Sequence, residues 1–143
     1  MAKDTERQIV QHLEQEFSEL IKSLKDLVRS VPTEHVYILR SAAVVEQTCG
    51  GLTSNLWDDP FEWTLPETLN TPAKVLEYLN EVETLRNRAF LAFKNDADLS
   101  KEIMTPAGAK QILPFLLDTL NRARHHQQRA FTALEFLKLT ASH

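Results

Sequence analysis

The sequence predicts an all-α fold, a four-helix bundle, and three observations carry that expectation. Four segments place apolar residues at alternating spacings of three and four, so each forms a single stripe along a helix. The chain has only three glycines, Gly50, Gly51 and Gly108, fewer than the turns of a β-rich fold this long would need. At 143 residues and 43% hydrophobic composition, it fits one domain, residues 1–143, with a proper core.

The first helix runs from about Asp4 to Ser30. Its stripe is Ile9, Val10, Leu13, Phe17, Leu20, Ile21, Leu24, Leu27 and Val28. Lys22 and Asp26 lie off the stripe with the spacing of a surface ion pair. Pro32 ends the helix, because its ring removes a donor and disfavours helical geometry at Val31. Thr33 then caps a second helix that extends to about Asn55, with Val36, Leu39, Ala42, Val45, Cys49 and Leu52 as its apolar line. Gly50 and Gly51 weaken that helix. A packing cause is the preferred reading: the missing side chains admit a close neighbour.

Residues 57–71 have no helical period and form a long connection between helices 2 and 3. Trp57, Phe61 and Trp63 must lie against the bundle there, closing one end of the core or covering a site. Thr71-Pro72 starts helix 3, a cap followed by proline in the first turn. Val75, Leu76, Leu79, Val82, Leu85, Ala89 and Phe93 mark it as far as Lys94. A second long connection, Leu99 to Ala109, joins helices 3 and 4. Helix 4 runs from about Ala109 to Leu139, with Pro114 tolerated in its first turn.

The bulk properties exclude several classes. A net charge of -4 argues against a nucleic-acid binder, which shows a basic excess. No apolar run approaches the roughly 20 residues of a membrane span. The N-terminus lacks the apolar core of a signal peptide. One cysteine, Cys49, allows no internal disulfide and suits a reducing compartment, so the expected location is the cytoplasm. Cys49 lies on the apolar line of helix 2 and reads as a buried, inert thiol.

Of the five histidines, His125 and His126 stand together on helix 4. Steps of about 100° per residue turn His125 toward solvent and His126 toward the bundle. Consecutive residues cannot serve one ion from the same turn, and Arg122, at i−4 from His126, carries a guanidinium that cannot ligate. Glu46 and Gln47 on helix 2 are the candidate cross-helix partners of His126.

The stretch Leu120-Asn-Arg-Ala-Arg-His-His-Gln-Gln-Arg129 resembles the DinB/YfiT-like family of bacterial four-helix bundles. Those proteins carry a pattern like Leu-Asn-His-x-x-His-His-Arg-Gly-Gln on the last helix. The resemblance implies an up-down-down-up bundle with long connections between helices 2 and 3 and helices 3 and 4. A simple up-down-up-down bundle is the alternative. It also implies a homodimer, for which the helix 1 stripe is long enough, and a divalent ion, nickel or zinc, held by one histidine on helix 2 and two on helix 4. His126 matches the second helix 4 ligand. Arg122 stands where the first belongs, and helix 2 has no histidine in its middle, only His35 near its start. The link Val31-Pro-Thr-Glu34 is also shorter than the family's.

The expectation is therefore a DinB-like protein without the three-histidine site. It holds no cofactor and binds a small ligand or a partner in the remaining cleft around His126, Arg122, Glu46 and Gln47. The alternative is a metal-dependent thiol transferase, with His126 as ligand and the others drawn from His35, Glu46 or Gln47.

Overall fold

The computed structural model describes residues 6–31, 35–57 and 69–141. Four helices build it: α1 (Gln8–Ser30), α2 (Val36–Ser54), α3 (Pro72–Leu91) and α4 (Ile112–Ala141). The stripe of α1 is used inside the chain at every position but Ile9. Val10, Leu13, Phe17, Leu20, Ile21, Leu24, Leu27 and Val28 are all buried, while Ile9 stays half exposed. They meet α3 through Phe17 and Phe90, whose ring centroids are 5.7 Å apart. Thr71 caps α3 as its sequence implies, its hydroxyl accepting from the Lys74 N–H at 3.3 Å. The expected Lys22–Asp26 pair gives way to Arg29–Asp26 at 3.0 Å. Thr33, Phe61 and Trp63 lie outside the described residues. The position before α2 is held by His35.

Side-chain pairings give the direction of each helix. On α1 and α3, Phe17 meets Phe90 and Lys25 meets Glu83, so these two run antiparallel. On α2 and α4, Ser41 donates to the Ala123 carbonyl at 2.7 Å, and Thr48 bonds Thr119 at 2.7 Å, again antiparallel. Between α2 and α3, Glu46 meets Tyr78 and Cys49 meets Arg86, so both helices rise together. The bundle is up-down-down-up.

The second connection corrects the helical reading. Helix 4 begins at Ile112, not Ala109, because residues 102–111 form a β-hairpin. Strands β1 (Glu102–Thr105) and β2 (Gly108–Gln111) pair antiparallel, with Thr105 opposite Gly108. Gly108 takes φ +113°, a conformation that L side chains rarely adopt. With α4 starting at Ile112, Pro114 falls in the first turn, where it breaks no helix bond. Ahead of the hairpin, a 3₁₀ turn (Asp96–Ser100) carries a capping box from Asn95 and Asp98. Its Asp96 accepts from the N–H groups of Ile9 and Val10 at 3.1 and 3.0 Å, satisfying free donors at the start of α1 from another part of the chain. Among the described residues, no helix is long and apolar enough to cross a membrane.

Candidate functional site: the cleft between α2 and α4

Small residues bring α2 and α4 close together. Ser41, Ala42, Thr48, Thr119 and Ala123 are buried along their contact, and the Ser41 and Thr48 hydroxyls find partners across it. The outer rim of this contact is polar. On α2, Tyr37, Arg40, Val44 and Gln47 recur at helical spacing. On α4, Arg122, His126, Arg129 and Ala133 do the same. The rows meet where Arg129 lies over Tyr37 and where Gln47 and Arg122 line one cavity, and the cleft is the rim between these two points.

At one end the cleft is shaped by glycine. The α2 helix continues through Gly50 and Gly51 to Ser54 and stops at Asn55, which adopts the left-handed conformation with φ 56°. A Cβ on Gly51 would collide with the Trp57 ring, so the glycine is there for packing. Trp57 is seated by three contacts. Its indole N–H donates to Asn55 at 2.7 Å, its carbonyl accepts from Gln47 at 2.9 Å, and its ring meets Phe115 edge-on at 5.7 Å. A cavity of about 250 Å³ lies between this aromatic pair, Gln47, Arg122 and the hairpin tip at Thr105. Gly51→Ala displaces the Trp57 ring. The expected stability loss is about 1–3 kcal/mol, with a red shift of emission in a Trp63→Phe background, where only Trp57 reports. Unchanged emission contradicts this seating.

His126 lies one turn along α4 from Arg122. His125 is exposed, and His126 is half-buried, the two rings meeting edge-on at 5.6 Å. The His126 Nδ1 is buried without a hydrogen-bond partner among the described residues. Burial pushes the imidazole below its ordinary pKa, and His125, Arg40, Arg129 and Arg122 push it further in the same direction. Arg122 ion-pairs with Asp118 at 3.1 Å. Arg129 lies over the Tyr37 ring, 5.1 Å from its centroid.

The remaining sequence candidates are placed elsewhere. Glu46 turns to α3. Burial raises its carboxyl pKa, a hydrogen bond from Tyr78 opposes that rise, and Glu81 adds to it. His35 is buried at the start of α2, with its Nε2 2.6 Å from the Val31 carbonyl, so that nitrogen carries the proton. Of the residues singled out in the sequence, Gln47 and Arg122 line one cavity, with His126 one turn further along α4; Glu46 and His35 have their partners elsewhere. Among the described residues, no group of three or more His, Cys, Asp or Glu side chains is placed to hold a metal ion. The groups whose charge acts on His126 are His125, Arg40, Arg129 and Arg122, and of these Arg122 is paired with Asp118. Arg40, the α2 member of this set, was missed in the sequence. The signal available was its i,i+7 spacing to Gln47.

Behind the cleft, Cys49 is buried and its thiol is pushed up to about 12, chiefly by burial, with Arg86 pulling it down and Glu46 pushing it up. It is an inert thiol under physiological conditions. Arg86 itself is buried, 3.9 Å from Glu14. Compared with known protein families, curated proteins and solved structures, the chain finds no match.

Proposed function

We propose that this chain is a DinB/YfiT-like bundle protein that has exchanged metal-holding histidines for a cationic cleft, and that it binds a small anionic ligand between α2 and α4. The observation that carries this reading is the charge around His126. Arg40, Arg122 and Arg129 with His125 all push the His126 pKa down, Arg122 while paired with Asp118, on a chain whose net charge is -4. A local excess of positive charge against the overall sign favours an anion and repels a cation. Arg122 occupies the position of the family's first helix 4 histidine. A guanidinium donates and never accepts, and its fork suits carboxylate or phosphate. The up-down-down-up order and the long connection between α2 and α3 agree with the family's architecture.

The competing reading is a metal-dependent thiol transferase using nickel or zinc. It needs lone pairs from several side chains around one point, and the charges flanking His126 oppose that. Homodimer formation and a cytoplasmic location go with the family reading. Because the α1 stripe is taken up by the core, two copies would meet through another face, and light scattering reads their association.

The test is elemental analysis and thermal shift on protein purified without a histidine tag. The expected result is no stoichiometric metal and a melting temperature raised by sulfate, with the rise reduced in Arg122→Ala. Stoichiometric nickel or zinc that disappears in His126→Ala overturns the proposal in favour of the transferase.

A further inference from the structure

The cleft does not end at His126. The α4 helix is 30 residues long and α2 only 19. Past the contact between Tyr37 and Arg129, α4 runs beyond the first residue of α2. A groove of about 690 Å³ opens there. His125, Arg129 and Tyr37 stand at its inner end, and Ala133, Phe136 and Leu137 line its outer part. The twelve helical steps from His125 to Leu137 correspond to about 18 Å of helix.

Two chemistries meet along this groove, the Arg129 guanidinium beside the His125 imidazole at one end and hydrocarbon at the other. Phe136 is 64% exposed and Leu137 40%. Phe131 on another side of the same helix is also half exposed, while Leu134 is buried in the core. A helix with apolar residues on every side is normally covered. The groove's volume is that of a small-molecule site. A second copy of this chain would bring Glu135 as its only carboxylate in this stretch, and Glu135 already pairs with Lys138 at 3.8 Å.

We infer that the groove takes a linear amphiphile, a medium-chain carboxylate. Its carboxylate lies between Arg129 and His125, and its hydrocarbon runs along Tyr37, Ala133, Phe136 and Leu137. This deepens the anion-binding reading and rests on it.

Calorimetric titration of the full chain tests the inference with acetate, hexanoate, decanoate and decyltrimethylammonium, each below its micelle-forming concentration. Each fully buried methylene multiplies affinity by up to about fourfold, so with the four extra methylenes half buried decanoate binds about tenfold more tightly than hexanoate. The expected result includes no binding of decyltrimethylammonium. Ala133→Trp, a change at an exposed position that fills the groove, abolishes the chain-length difference while acetate binding stays. Arg129→Glu removes decanoate binding. Equal affinities for hexanoate and decanoate overturn the amphiphile and leave the anion site standing. Binding of the ammonium amphiphile as tightly as decanoate also overturns it, because apolar contact alone then suffices. No binding of any anion overturns both readings. Concentration-dependent dimerisation that excludes decanoate assigns the groove to a second copy and overturns the inference.

Discussion

Phe90→Ala lowers the stability of the bundle by about 3–5 kcal/mol, the range for truncating a buried aromatic side chain. Phe90 is 1% exposed and stands between two other rings, Phe17 at 5.7 Å and Phe93 at 5.5 Å, the latter edge-on. These contacts tie α1 to α3 and to the start of the second connection. The space left in a close-packed core is filled only in part, and the residual cavity adds to the lost transfer energy. Domains of this size hold roughly 5–15 kcal/mol in total, and the variant therefore loses a large share of its margin. Leu91→Ala is the control. Leu91 is 79% exposed, and its loss stays within about 0.5 kcal/mol. Chemical denaturation of both variants reads the difference, and a loss under about 1 kcal/mol for Phe90→Ala contradicts the core described here.

Reversing two charges, Arg40→Glu with Arg129→Glu, abolishes anion binding in the cleft. Each arginine supplies a charge-assisted hydrogen bond of about 1.5–3 kcal/mol, so losing both weakens binding by more than about a hundredfold. The same variant raises the pKa of His126. Burial, the largest cause of its depression, stays, but two of the cations that add to it become anions. The sign of the pH effect follows. The folded value of His126 lies below the unfolded value of about 6.5, so its contribution to stability is present above that pH and is lost as pH falls toward the folded value. Wild type therefore loses stability through His126 on acidification below about pH 6.5, and the double variant loses less. Ligand binding runs the other way. An anion beside His126 favours the imidazolium, so binding takes up a proton and tightens as pH falls through the same region. His126→Gln removes that dependence.

How far the sequence was legible differs from element to element. The stripe of α1 could be read residue by residue, because nine apolar positions at strict helical spacing admit one interpretation. The close approach at Gly50–Gly51 was legible as packing, though the neighbour, Trp57, was not, since nothing in an aperiodic stretch says where its ring falls. The hairpin was missed for a physical reason. Its strands are four residues each, and β2, Gly-Ala-Lys-Gln, has no β-branched or aromatic side chain, so no period of two could be seen. Asp96 capping α1 across the fold, and Arg86 buried beside Glu14, depend on long-range pairing that no local pattern encodes. In the cleft, helical arithmetic separated His125 from His126 correctly. Glu46 and Gln47 are adjacent, so they diverge by about 100°, and only Gln47 faces α4.

The most direct measurement is the His126 imidazole resonance in the full chain, followed by NMR against pH, first alone, then with sulfate, then with zinc. The expected result is a pKa below the ordinary histidine value in the free protein, a rise when sulfate is added, and no saturable shift with zinc. A resonance that sulfate leaves unmoved, and that stoichiometric zinc locks in the neutral form, contradicts a cationic cleft between α2 and α4 and makes His126 a metal ligand.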